Sequence, residues 1–369
     1  MGVTQQYTAD GFDEVADLFA SYADEGYEAQ LAVYVGGELA VDLAAGIDAD
    51  TLMTVFSVTK GLAAIALGLL VDRGRLDLDE RVARYWPEFA QADKEFVTVR
   101  QLLSHQAGLP AVDGGITLDD WLDDHRAADL LAAQRPFWRP GSGFGYHAAS
   151  IGALISELCF RITGQSIQAF YEREVRVPAA ADAYLGLPDE LESRAVELLP
   201  MSDPTPEQLV EFGAELSAPR GPYGPPTFDM DFAVLTSRRG RAFGHAAGGG
   251  VCSARGLAAV YNWATGYGSD AGAVSTDTLA AFAQTQVAGY DLVLDQPYRS
   301  HGIVFQKPTP VVPFGSYRAF GHDGAAGAMA FADPVTEICL GYTIRRSPFP
   351  GGMDRRVVRL ADAARRAIG

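Results

Sequence analysis

Strand-like sequence lies at both ends of this chain and helix-like sequence fills the middle, which leaves few ways to build a core. Near the start, two short apolar runs at 29–35 and 38–43 are joined by Gly36-Gly37, the pattern of a tight hairpin. Near the end, segments 302–306, 317–320, 328–331 and 338–344 read as consecutive strands. Between them, helical periodicity marks 118–133, 151–163, 167–174, 206–216, 254–266 and 276–283. An amphipathic helix is expected over 11–25 and a closing helix over 353–368. The pattern predicts an α/β (α+β) protein with one sheet built from both termini, flanked by helices, and a mostly helical insertion. With 369 residues there is room for about two units on a ~150-residue prior. The expected division gives 1–75 plus 295–369 to the sheet and 76–294 to the helical part.

Composition removes several classes of function. A net charge of −18 opposes nucleic acid or an anionic membrane surface as partner. No apolar run approaches the ~20 residues that span a bilayer, and the first residues carry neither a basic region nor an apolar run. Cys159, Cys252 and Cys339 are odd in number, widely spaced and set among apolar residues, so they read as reduced core thiols. The expectation is a cytoplasmic protein with no metal and no cofactor, acting on a small molecule; the oligomeric state, a homo-oligomer included, stays open.

One motif points to chemistry. Ser57-Val58-Thr59-Lys60 opens an apolar stretch that runs to Val71 in a helix ending near Gly74. Residues i and i+3 share a helix face, so the hydroxyl and the amine can meet. In the first turn, Ser57 would face free N–H groups and the positive end of the helix dipole. That pairing suits an acyl-transfer nucleophile with its base. A serine N-cap followed by a solvated lysine fits the same letters equally well. Lysine is scarce, however, occurring only at 60, 94 and 307, with arginine supplying the other cationic side chains.

Three further segments belong with this motif. Trp138-Arg139-Pro140-Gly141-Ser142-Gly143-Phe144-Gly145-Tyr146-His147-Ala148 is a Gly-rich turn that presents a tyrosine before a helix. Leu102-Leu103-Ser104-His105-Gln106-Ala107-Gly108-Leu109-Pro110 is the second, and Phe320-Gly321-His322-Asp323-Gly324-Ala325-Ala326-Gly327 the third. With these in place the chain resembles the serine β-lactamase and penicillin-binding superfamily, and within it the family VIII carboxylesterases, which are similar to class C β-lactamases. The resemblance runs from about Leu31 to Arg345. It implies a β-lactamase-like fold with an antiparallel sheet and an active site between the sheet and helical parts. It also implies a Ser57 nucleophile, a base formed by Lys60 and Tyr146, and His322-Asp323-Gly324 in place of the Lys-Thr-Gly strand motif. His322 and Gly324 would line the substrate, and the Ala325 N–H would join that of Ser57 in holding the oxyanion. No Gly-x-Ser-x-Gly occurs, which disfavours an α/β-hydrolase elbow.

The departures from the family pattern indicate the substrate. Ala148 stands where β-lactamases hold an asparagine that contacts the acylamido group, and His322 where they hold a lysine that recognises the β-lactam carboxylate. An ester lacking a carboxylate needs neither clamp, so the expectation is a serine hydrolase of short-chain carboxylic esters working through an acyl-enzyme. The alternatives are a β-lactamase, a D-amino-acid peptidase or a lactonase on the same scaffold, or a non-catalytic binding homologue. His147 and His105 are expected to be structural, Trp138 and Pro140 to shape the turn around Tyr146, and Asp323 to play no chemical part. The Pro- and Gly-rich segment 217–232 is expected to border the site as a loop limiting acyl length.

Overall fold

The computed structural model describes residues 2–217, 232–269 and 272–369. Its strands are β1 (Val3–Thr8), β2 (Ala29–Val35), β3 (Glu38–Ala45), β4 (Met53–Thr54), β5 (Ala183–Leu185) and β6 (Gly250–Cys252). They continue as β7 (Val287–Asp291), β8 (Gln296–His301), β9 (Phe320–Asp323), β10 (Met329–Asp333) and β11 (Ile338–Ile344). The main sheet has the order β1-β3-β2-β11-β10-β9, so the two termini are interleaved in one sheet. Every pairing in it is antiparallel, and Ile338–Ile344 pairs with Val35–Ala29 at its centre.

Helices Asp13–Asp24 and Arg355–Ala367 cover one face of the sheet, where Phe19, Leu360 and Ala364 meet Leu31, Phe331 and Leu340 in one apolar cluster. The other face carries Ala254–Thr265, which Gly341 lets approach: a side chain there would lie 2.1 Å from the Ala254 carbonyl. The larger cluster extends from that face around helix Thr59–Asp72, whose residues are buried from Thr59 to Leu70. Uniform burial gives this helix an apolar surface all round, as expected of a helix sealed inside a core. The remaining two lysines are buried as well. Lys94 donates to the carbonyls of Ala132 and Gln134, and Lys307 to those of Arg318 and Ala319.

Several expectations need correction. Residues 302–306 are not a strand: Val304 has φ 63°, and its N–H donates to Leu103 O rather than to a ladder. The Ile303-Val304-Phe305 run is fully buried in the core, so its apolarity reflects packing and not sheet pairing. The next strand begins at Phe320, where a strand was expected over 317–320. The expected helix 118–133 is two helices, Leu118–Trp121 and Asp124–Ala133, because Thr117 and Asp123 each cap a separate first turn. Strand β1 and the β7–β8 hairpin were not expected at all. The segment 217–232 falls largely outside the described residues.

Candidate active site

Ser57 occupies a single 3₁₀ turn, Phe56–Val58, that precedes the α-helix, whereas the sequence placed it inside the first helical turn. The 3₁₀ geometry has three residues per turn and brings i and i+3 into line, so the hydroxyl and amine still meet. Phe56 has φ 46°, a left-handed backbone that non-glycine residues visit at a cost and that recurs at functional sites. Thr59 secures the turn, its hydroxyl donating to Phe56 O and accepting the Gly250 N–H at 2.8 Å. Gly250 has no room for a side chain, since a Cβ would sit 2.6 Å from that same hydroxyl.

Lys60 is 0% exposed and has no carboxylate partner among the described residues. Its Nζ donates to the carbonyls of Ala148 at 2.7 Å and Ala247 at 2.8 Å, and lies 3.1 Å from Ser57 Oγ. Burial lowers its pKa to about 7, against a weaker upward pull from the Asp323 charge. A neutral amine has two N–H groups and one lone pair. With both N–H groups spent on carbonyls, the lone pair is left for Ser57. Lys60 is therefore not the solvated lysine that follows a serine N-cap.

Tyr146 O–H donates to Ser57 Oγ at 2.8 Å, and its ring lies 4.9 Å from Lys60 Nζ. Burial pushes the phenol well above its ordinary value, outweighing the downward effect of its hydrogen bond to Ser57. The β7–β8 hairpin seats this tyrosine. Both carboxylate oxygens of Asp291 accept the Tyr146 N–H at 3.0 Å, and the same group accepts the N–H groups of Val293 and Leu294 at 2.9 Å. From the other strand of the hairpin, the His301 ring stacks on the Tyr146 ring at 5.9 Å and 14°. Sequence reasoning missed both residues. The available signal was an Asx-turn, an aspartate bonding the amides two and three residues on, within Tyr290-Asp291-Leu292-Val293-Leu294.

His322 lies on β9 with its ring 5.8 Å from Tyr146. Its Nδ1 donates to Asp323 O at 2.7 Å, which makes Nε2 the acceptor, and Nε2 has no partner among the described residues. Burial, with the Lys60 charge adding to it, lowers its pKa to about 3, so the ring is neutral. Gly324 packs against the serine turn so closely that a Cβ would lie 2.3 Å from Val55 O. The exposed Ala325 follows, its carbonyl accepting the Gly352 N–H at 3.0 Å while its own N–H donates to no described residue.

His147 is structural, with Nδ1 donating to Gly145 O and Nε2 accepting the Leu109 N–H. The His105 Nδ1 accepts the His147 N–H, tying the His105 segment to the tyrosine turn. Among the described residues, no group of three or more His, Cys, Asp or Glu is arranged to hold a metal ion. No helix among them is long and apolar enough to cross a membrane.

A family model described as beta-lactamase matches residues 15–365. The chain belongs to the β-lactamase family. Among solved structures it is similar to EstA from Arthrobacter nitroguajacolicus, with 38% identity over 99% of both chains and a TM-score of 0.87. A family VIII carboxylesterase shares 31% identity over 100% of both chains at a TM-score of 0.86. The esterase/beta-lactamase LipL of Mycobacterium tuberculosis is 29% identical over 86% of this chain and 76% of its own length. The expected β-lactamase-like fold and the likeness to family VIII carboxylesterases are borne out.

Proposed function

We propose that this β-lactamase-family protein is a carboxylesterase in which Ser57 is the nucleophile, Lys60 its base and Tyr146 the acid for the leaving alcohol. The observation that carries the reading is the pair of contacts on Ser57 Oγ, Lys60 Nζ at 3.1 Å and Tyr146 O–H at 2.8 Å. Opposite pKa shifts divide the roles: a lysine near neutrality is a competent base, while a phenol pushed upward stays protonated and can donate.

The Ser57 proton passes to Lys60 as Oγ attacks the ester carbonyl. The resulting oxyanion is held by the N–H groups of Ser57 and Ala325, each such donor being worth ~3 kcal/mol in the transition state. Tyr146 then protonates the departing alkoxide while the Lys60 ammonium returns a proton to the phenol. Water attacks the acyl-enzyme, Lys60 takes its proton, and Ser57 Oγ is protonated as the acid leaves. Neutral His322 and the methyl group of Ala148 supply no strong clamp for a β-lactam carboxylate or acylamide, which supports ester over β-lactam as substrate. Short acyl chains are the proposed class, and p-nitrophenyl esters of rising length would define the limit.

The direct test is labelling. A fluorophosphonate should modify Ser57 alone, and Ser57→Ala should abolish both labelling and ester hydrolysis. Label at another serine, with hydrolysis retained in the variant, would overturn the assignment.

A further inference from the structure

We infer that Arg299 forms an anion subsite beside the leaving-group side of the active site, selecting esters whose alcohol portion carries a carboxylate or comparable anion. This inference rests on the esterase reading above and names a substrate class for it.

The placement follows from the β7–β8 hairpin. Arg299 and His301 are two apart on β8, so they project from the same face, and His301 is the ring that stacks on Tyr146. Directly across from Arg299 on β7 is Gly289, and cross-strand partners share a face. Glycine leaves that neighbouring position empty, and a Cβ built there would meet nothing within 4 Å. The arginine therefore borders open space on the face of the hairpin that turns toward the tyrosine.

The electrostatics agree with the geometry. Burial dominates the pKa values of Tyr146, Asp291, His301 and His322, and the Arg299 charge acts on all four. The guanidinium nevertheless forms no ion pair and no hydrogen bond among the described residues, although many of the chain's arginines are paired with carboxylates. Asp323 also acts on Lys60 and Tyr146, but its Oδ2 already accepts the Met353 N–H at 3.0 Å. A planar, permanently charged fork with no hydrogen bond or ion pair among the described residues is suited to a carboxylate on a ligand. Tyr146 is the proton donor to the leaving oxygen, so an anion held beside it belongs to the alcohol half of the ester.

The test compares 4-acetoxybenzoate with 4-acetoxybenzamide, two acetate esters that differ in the charge of the leaving phenol. The wild type should favour the anionic ester through a lower KM. Arg299→Leu should reduce the anionic-to-neutral ratio of kcat/KM about tenfold or more, and Arg299→Lys should keep part of it. Independently of any variant, 4-hydroxybenzoate should bind the wild type more tightly than 4-hydroxybenzamide by calorimetry, with the difference shrinking at high salt. Equal binding of the two phenols, or a ratio that Arg299→Leu leaves unchanged, overturns the subsite. Failure of the wild type to cleave either ester would overturn the esterase reading instead, with phenol binding still deciding the subsite.

Discussion

Acidifying the medium should silence this hydrolase by protonating Lys60. The amine is taken from 10.5 to about 7 by burial, with no carboxylate paired to it among the described residues. At ~1.4 kcal/mol per unit, that shift corresponds to roughly 5 kcal/mol disfavouring the ammonium. An unshifted lysine would be ~0.3% neutral at pH 8, whereas roughly nine-tenths of Lys60 would be. If Lys60 is the base, as proposed, it works in its neutral form, which fixes the sign: kcat/KM should be flat above the pKa and fall about tenfold per unit below it. The assay is acylation by p-nitrophenyl acetate from about pH 5 to 9, in the wild type and in Tyr146→Phe. The variant should be slower throughout because it lacks the proposed donor to the leaving group, yet keep its inflection near 7. Loss of the acid limb in Tyr146→Phe, or an inflection above about pH 9 in the wild type, would refute Lys60 as the base.

Two other perturbations probe the surroundings of the site. Asp291→Ala strands the N–H groups of Tyr146, Val293 and Leu294 in a buried place, so it should cost about 3 kcal/mol or more in urea denaturation and lower kcat by at least about tenfold. Asp291→Asn, which keeps an acceptor oxygen, should be milder in both, and wild-type behaviour in the alanine variant would mean that Tyr146 needs no such seat. His322→Lys should raise affinity for nitrocefin without giving rapid turnover, because Ala148 still offers no amide contact; nitrocefin turnover by the wild type rivalling its ester turnover would instead favour a β-lactamase.

The parts of the site legible in the sequence were those carried by short segments of unusual composition. Ser57 and Lys60 are local neighbours, and Tyr146 and His322 each follow a marked turn or enter a strand, so their order along the chain identifies them. Asp291 and His301 were illegible for the opposite reason. They act through the fold, in a polar hairpin whose exposed Tyr290 and Tyr298 give no clean alternation. Strand β1 is half-exposed at the sheet edge and reads as Val-Thr-Gln-Gln-Tyr-Thr, with too little apolar pattern to mark it. The false strand at 302–306 shows the converse, because a short apolar run cannot by itself distinguish a sheet from an irregular core segment.

The burial of all three lysines gives the molecule a useful silence. Succinimidyl dyes, glutaraldehyde and reductive methylation seek exposed amines, and Lys60, Lys94 and Lys307 present at most 4% of their surface to solvent. A side-chain amine can react only when the surrounding structure opens, so its rate of modification reports that opening rather than surface accessibility. The three sites lie in different places: helix Thr59–Asp72, the Phe89 neighbourhood and the loop leading toward β9. Their separate labelling rates would therefore record which part of the protein comes apart first.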